Sequence, residues 1–341
     1  MPTTNHGPNM ASTFMVMRRY GIASIALVVS MIALTASAQS YPSKLVTGIV
    51  AYPAGAQGDV TARLVIPELQ RLLGQTVIVE NVAGVGGTRG AQKVLAAPAD
   101  GHTLLLATAI ETTQTPLAMA LARYKAEDFR MVGQIASTHL MLVVRPTLPV
   151  QSVSDLVALA KKSADRPLTF GSVGRGSVYH LVTERFAADT GIKLLHVPYK
   201  GAAPLITDAA GGAIDIVFMP VGGPVLGMIQ KGLLKPLAYT GPSRHAAFPD
   251  VPTMEETGLV KDFQFDVWLA LMAPKATPEP VMTKLNAVLR EVMREPKVRA
   301  NIVAAGGTPA APMTLEAAAR FYADETAGYR AIARSIGLQP E

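Results

Sequence analysis

The sequence predicts an α/β protein with a largely parallel sheet, and three observations carry that prediction. From residue 45 onward, short apolar runs rich in β-branched residues alternate with segments whose apolar positions recur at helical spacing. Glycine-rich turns stand at the joints, within residues 55–59, 84–90 and 171–176. The chain from residue 279 on reads as helices without matching strands, so it is expected to pack back onto the first sheet and make the first domain discontinuous.

In order, residues 45–51 read as a buried strand and 53–58 as a turn. Asp59 then stands where an N-cap would, before a helix over 60–73 that Gly74 ends. A strand at 76–79, a helix at 88–96, the turn Asp100-Gly101 and a strand at 103–107 follow. Residues 140–144 are again a strand, and Ser152 and Asp155 have capping-box spacing for a helix continuing through 156–161. A strand reaching Phe170, a turn and a helix from Val178 to about residue 189 come next. Strands at 194–197, 214–218 and 234–239 alternate with helices at 203–210 and 223–230, and 241–252 is a proline-punctuated connection. The last strand is 267–272, with helices at 279–291, 296–304 and 315–336. The implied plan is a first domain of residues 39–142 and 264–341. A second domain, 143–263, is inserted between hinge crossings near 141–146 and 261–268.

The 341 residues are 49% hydrophobic and 16% charged, enough for one large or two medium domains with proper cores. Cysteine is absent, which excludes disulfides, thiolate metal sites, cysteine nucleophiles and a lipid-modified cysteine anchor. The six histidines show no HExxH or similar His/acid spacing, so no metal is expected. Arg18 and Arg19 precede an apolar segment, 22–34, and Ala36-Ser37-Ala38 supplies a small-x-small cleavage pattern. The segment is shorter than the roughly 20 residues of a membrane-spanning helix. Residues 1–38 therefore read as a signal peptide cleaved after Ala38. The net charge is +6, and removing the two leader arginines leaves an excess of four. These charges are scattered, without a basic run, which argues against nucleic acid and suits a small anionic ligand.

Binding chemistry concentrates in residues 170–181, FGSVGRGSVYHL. A strand, a tight turn and a helix N-terminus offer backbone N–H groups and the positive end of a helix dipole to an anion. Ser172 and Ser177 add hydroxyls and Arg175 a full charge. The turn at 84–90 resembles a dinucleotide-binding turn, but its spacing is GxGxxxG and no acidic residue closes the next strand; the reading taken is a tight turn. Asp59 is a ligand contact or a helix cap, the cap being the commoner role. Ser172 or Ser177 with His180 would suit a hydrolase, yet neither serine lies in GxSxG or SxxK. Lys200 is an anion partner or a solvated loop lysine. Asp208 and Asp215 are expected to be structural, and no carboxylate pair compels acid–base catalysis.

Six motifs in order carry a family resemblance: VEN-x-x-G-x-GG-x-x-G at 79–90, DGHTLLL at 100–106 and FGS-x-G-x-GS-x-x-HL at 170–181 are the first three. HVPYKG-x-x-P at 196–204, D-x-x-GG-x-x-D at 208–215 and PDVPT-x-x-E-x-G at 249–258 complete the set. From Tyr41 to its end the chain resembles the extracytoplasmic solute receptors of tripartite tricarboxylate transporters, the Bug-type receptors. The resemblance implies a two-lobed, type II periplasmic-binding-protein fold of the Venus-flytrap kind, with a hinge, an interdomain cleft, no catalysis and no cofactor. It implies a monomer in the periplasm whose ligand is a small carboxylate: a di- or tricarboxylate, an acidic amino acid or an aromatic acid. The implied partners are membrane permease subunits and, for some members, a sensor kinase. First-domain contacts are expected at Tyr52, Gly55, Gln57, Asp59, Thr108, Ile110 and Glu111. Those of the second domain are expected at Ser172, Gly174, Arg175, Ser177, Tyr199, Lys200 and Met219. Backbone amides, hydroxyls and water would hold the carboxylates, with few ion pairs.

The chain departs from that family's pattern in two places. The first turn, usually Pro-Pro-Gly-Gly-Gly with a hydroxyl residue and Asp, here reads Pro53-Ala54-Gly55-Ala56-Gln57-Gly58-Asp59, and Met219 stands where relatives commonly carry an acid. The working hypothesis is that Arg175 pairs a second carboxylate, while Glu111 selects an amino or hydroxyl group. An exported serine hydrolase and a receptor serving a membrane sensor are the competing readings.

Overall fold

β-Branched apolar residues fully sequestered on one strand build β1 (Val46–Val50) at the centre of a parallel trio. Parallel neighbours require crossovers, and the chain supplies α1 (Gln57–Leu73) on the way to β2 (Val77–Asn81) and α2 (Thr88–Ala96) on the way to β3 (Thr103–Thr108). The structure is a computed structural model that describes residues 1–3, 41–84 and 86–340. Residues 4–40, with the leader's apolar segment and cleavage site, lie outside the described residues. Lys44–Glu341 is one compact unit.

Beyond β3 a π-helical segment, Ile110–Gln114, runs into the short α3 (Thr115–Ala118). A sixteen-residue strand, β4 (Phe129–Val144), then leads to α4 (Val153–Lys162), which Ser152 caps by accepting from the Asp155 N–H at 3.1 Å. Strands and helices alternate through β5 (Leu168–Ser172), α5 (Val178–Thr190), β6 (Leu194–Pro198), α6 (Ala202–Ala210), β7 (Ile216–Pro220), α7 (Gly223–Gln230) and β8 (Lys235–Tyr239). The chain returns along β9 (Asp266–Pro274) and ends with α8 (Glu279–Arg294), α9 (Pro296–Ala304), the two-residue β10 (Thr308–Pro309) and α10 (Leu315–Ser335).

The strand order is β2-β1-β3-β9-β4-β7-β5-β6, with β8 and β10 also paired to β4. The sheet is mixed rather than largely parallel. β9 runs antiparallel to β3, and β4 runs antiparallel to β9, β7 and β8. β4 changes partners midway: Phe129–His139 pairs with β9, and Leu140–Val144 with β7 and β8. Its first part escapes a sequence reading because register shifts at Met131/Gly133 and Gln134/Ala136 break the two-residue alternation. The C-terminal helices do pack against the first half of the sheet, with α8 on α1 and β4 and α10 on β4, and the tail carries one short strand of its own, β10.

Alternation along β4 divides the apolar interior. Leu140, Leu142 and Val144 join Phe170, Phe186, Phe218 and Phe263 on one face, while Met141 and Val143 join Leu205, Val217, Met219 and Val225 on the other. Both faces are therefore covered, which is the layering that holds the connecting turns at the strand ends.

Candidate functional site

The glycine turn after β5 is held together by its own polar groups. The Gly174 N–H donates to Ser172 Oγ at 3.1 Å, and Ser177 Oγ donates to the Gly174 carbonyl at 2.7 Å. The Gly176 N–H donates to His180 Nδ1 at 3.1 Å, and Ser177 is the N-cap of α5. The amides of Gly174, Gly176 and Ser177, expected from the sequence to face an anion, are thus consumed inside the turn, by the Ser172 hydroxyl, the His180 imidazole and the Gly174 carbonyl respectively. What helical geometry leaves open are the N–H groups of Val178 and Tyr179, the first two residues of a 13-residue helix, at the positive end of its dipole.

Beneath the turn, Ser172 Oγ shares a 2.6 Å hydrogen bond with His196 Nε2, and the rings of His196 and His180 stand 4.2 Å apart against Phe170. Burial, then His196, then the Arg175 charge hold His180 down to about 4; burial and Arg175 do the same for His196. The pair is neutral at neutral pH. Arg175 is exposed, and its charge is felt at this pair and at Glu184.

On the opposite side, Tyr52 follows β1 and donates its hydroxyl to Glu111 Oε2 at 2.6 Å. Glu111 also accepts from the Thr108 N–H and hydroxyl, both at 2.7 Å. It is fully buried, and burial pushes its carboxyl up against the downward pull of those bonds. Burial and the nearby Glu111 push the Tyr52 hydroxyl well above its ordinary value. The Glu111 carboxylate is therefore occupied within this group, and Ile110 beside it donates its N–H to Thr108 Oγ1 at 3.1 Å. The turn at 84–90 explains itself here: a Cβ on Gly87, at φ +83°, would lie 2.5 Å from that of Glu111.

Asp59 is not the N-cap. α1 begins earlier, with Ala56 at the N-cap, and Asp59 is its third residue, where a carboxylate favours the helix dipole. Its side chain accepts from the Gly55 N–H at 2.8 Å, Asn81 Nδ2 at 2.8 Å and Arg63 Nε at 3.0 Å, so it ties the turn to the helix and to β2. Burial pushes the Asp59 carboxyl up, but Arg63, the Gly55 amide and Asn81 together hold it below the usual range. Gln57 opens the helix; its side chain lies outside the described residues.

Tyr199 joins the glycine turn through its N–H, which donates to the Ser172 carbonyl at 2.8 Å, and its hydroxyl donates to Asp208 Oδ2 at 2.8 Å. Lys200 is exposed. Met219 is buried in β7, opposite Met141 in the core. Asp215 is structural, bound by Arg145 at 2.7 Å and by Thr169. The two sides meet where Gly176 rests on Ala118, with Leu338 alongside, and where Tyr179 approaches Tyr52 closely enough to bear on its ionisation. Tyr179, His196 and Ala118 were absent from the sequence-derived site. His196 and Tyr179 lay within its motifs, while Ala118 carried no local signal. Among the described residues no group of His, Asp and Glu is placed to hold a metal ion, and no helix is long and apolar enough to cross a membrane.

Two α/β half-sheets linked by β4 and β9, with glycine turns converging beside the link, make up the architecture of a solute receptor. The chain matches the tripartite tricarboxylate transporter family receptor, TctC, over residues 61–338, and it belongs to that family. It is 35% identical over 330 residues to Protein BugT of Bordetella pertussis, covering 94% of this chain and 98% of that one. The periplasmic binding protein BugD superposes with a TM-score of 0.74 at 29% identity, covering 88% of this chain and all (100%) of that one. Rpa4515 of R. palustris, solved with adipate, gives 0.77 at 29% identity, covering 89% of this chain and 100% of the other. MatC of Rhodopseudomonas palustris, solved with malate, gives 0.74 at 26% identity, covering 86% and 99%. The family and these neighbours are two-lobed solute-binding receptors, not enzymes, so the hydrolase reading falls and the Ser172–His196 contact is a structural hydrogen bond.

Proposed function

We propose that the protein is an exported receptor that captures a small carboxylate between two lobes, residues 39–142 with 264–341 and residues 143–263. The observation that carries this is the N-terminus of α5. Its first two amides, those of the buried Val178 and of Tyr179, lie beside the place where Gly176 meets Ala118 and Tyr179 nears Tyr52, so an anion admitted there on opening reaches both sides. The adipate and malate of two neighbours support an acyclic dicarboxylate. Ser172, Ser177 and Tyr199 shape the receiving turn, Tyr52, Thr108 and Glu111 brace the facing one, and Arg175 meets a second carboxylate at the rim. Binding closes the lobes about β4 and β9, and the closed form is what membrane permease subunits recognise. The leader directs export, and the mature chain works as a monomer.

A thermal-shift screen of the mature chain, unfolded and refolded to strip bound solute, against adipate, malate and other carboxylates tests this. A ligand at about 100 times its Kd adds roughly 2.7 kcal/mol, an easily read shift. A flat profile across the acids overturns the carboxylate reading. For a hit, loss of uptake on permease deletion supports delivery, and a persisting transcriptional response without the permease points to a sensor as client.

A further inference from the structure

Three side-chain oxygens close a triangle on the first side of the site: Tyr52 Oη, Thr108 Oγ1 and Glu111 Oε2. The tyrosine and threonine oxygens lie 2.6 and 2.7 Å from the carboxylate oxygen and 3.0 Å from each other. The second carboxylate oxygen, Oε1, accepts the Thr108 N–H at 2.7 Å. Donors thus converge on both oxygens of Glu111, the arrangement of an ionised carboxylate, which only accepts.

Counting protons fixes the direction of each bond. The two hydroxyls bring one proton each to three oxygen–oxygen contacts, so one contact holds none. The contacts at 2.6 and 2.7 Å have the length of charge-assisted bonds, while 3.0 Å is the far limit for a hydroxyl pair. The protonless contact is therefore the one between Tyr52 and Thr108, and both hydroxyls point their protons at Glu111. Thr108 Oγ1 in turn accepts the Ile110 N–H at 3.1 Å. Among the described residues, no donor is then left for the Tyr52 oxygen, which presents a bare acceptor. The group is rigid: the Tyr52 carbonyl accepts from Asn81 Nδ2 at 3.0 Å, and the Glu111 carbonyl accepts the Tyr124 hydroxyl at 2.6 Å. Glu111 is fully buried, whereas Tyr52 keeps part of its surface and has Tyr179 of the opposite side nearby.

We propose that the Tyr52 oxygen selects solutes carrying a hydrogen-bond donor on the carbon beside a carboxylate, with Glu111 as the positioning residue that keeps the phenol proton turned away. The inference rests on the carboxylate reading, in which an anion at the start of α5 brings its neighbouring carbon to Tyr52. The solute is then a 2-hydroxy or 2-amino dicarboxylate. An unsubstituted one leaves the phenolic oxygen without a partner once closure strips it of water. The choice of an amino or hydroxyl group, expected of Glu111 from the sequence, passes to Tyr52 because Glu111 is buried behind it.

Calorimetric titration of the mature chain, stripped of solute by unfolding and refolding, tests this. Succinate, malate and aspartate share one carbon skeleton; glutarate and adipate with their 2-hydroxy and 2-amino forms supply longer ones. At the length that binds, a substituted acid should bind about tenfold or more tighter than the unsubstituted one. Malate-type against aspartate-type affinity tells which donor the site takes. Tyr52→Phe keeps the ring and should shrink the preference to within about twofold, with little change for the unsubstituted acid. Glu111→Gln turns an amide N–H onto the Tyr52 oxygen and should erase the preference too, although residue 111 touches no solute. Equal binding of all three acids by the wild-type chain, or a preference that Tyr52→Phe retains, overturns the assignment to Tyr52. A preference lost in Tyr52→Phe but kept in Glu111→Gln overturns the role of Glu111. Binding without discrimination defeats this inference alone, whereas no binding by any dicarboxylate defeats the carboxylate reading and this inference with it. The wild-type ratios decide even if one variant does not fold.

Discussion

Gly176 sits so close to Ala118 that a Cβ at position 176 would lie 2.1 Å from the Ala118 Cβ, far inside van der Waals contact. Gly176 lies in the turn after β5 and Ala118 ends α3, so their contact is a seal between the facing parts of the proposed cleft. Gly176→Ala should leave each half folded and hold the halves apart. Gly174→Ala is the control, since position 174 also has a positive φ, +128°, but nothing within 4 Å of an added Cβ. Both substitutions carry backbone strain of about 1–2 kcal/mol. Only the first should enlarge the radius of gyration in small-angle scattering, and equal radii for the two variants would count against the seal.

Tyr52 and Glu111 should prove energetically coupled. Tyr52→Phe leaves the Glu111 carboxylate short of one buried donor, and Glu111→Gln turns an amide donor toward groups that themselves donate. Each should lower stability by about 1–3 kcal/mol. The double variant should lose less than the sum by about 1–2 kcal/mol, measured by urea unfolding. Strict additivity would mean that the 2.6 Å contact carries no net energy.

The Asp59 side chain pins Gly55, Arg63 and Asn81 from a position only 2% exposed. Asp59→Ala should therefore cost about 2–3 kcal/mol, well beyond an ordinary first-turn acid. Because its folded carboxyl lies below the unfolded value, its contribution is present above pH 4 or so and is lost as pH falls through the folded value. The stability gap between wild type and variant should narrow in acid, and denaturant titrations at pH 7 and pH 3 check it.

The histidine pair acts in a different window. Unfolded histidines take up protons near 6.5, the folded pair only at about 4, so between these limits the unfolded chain binds more protons. The pair's stabilising contribution is complete above 6.5 and is lost as the pH falls toward 4. Asp266 on β9 and Glu325 on α10 oppose this trend, since desolvation raises both carboxyls and their contribution falls as pH rises. The comparison that isolates the pair is wild type against His196→Asn, which keeps a polar partner for Ser172 but does not titrate. The variant's Tm should fall less steeply between pH 6.5 and 4.5; parallel curves would exclude His196 as a contributor.

How far the site could be read in advance depended on how local each signal was. Ser177, His180 and Val178 form a cap and first turn within four residues, so the motif at 170–181 announced a helix start, and the helix is there. Which amides stay open could not be read, because it turns on whether Ser172 Oγ and His180 Nδ1 reach back into the turn. Asp59 shows the same limit at one element's scale: its residue type promised a cap, but the helix began earlier and turned the carboxylate to Asn81, 22 residues away. The glycine turn at 84–90 was recognised as tight from its spacing, and its cause, the packing of Gly87 on Glu111, emerged only in three dimensions.

The sequence by itself determined the alternation of strands and helices, the turns and the family, since periodicity and glycine placement are properties of neighbouring residues. Tertiary structure alone decided that β4 is one sixteen-residue strand spanning both half-sheets and antiparallel to β9, a strand that begins 122 residues after its end. It alone brought Gly176 to Ala118, Ser172 to His196, and Trp268 to Glu325. The physical reason is that pairing and burial between distant segments depend on which surfaces of the folded layers meet, and no local pattern encodes that meeting.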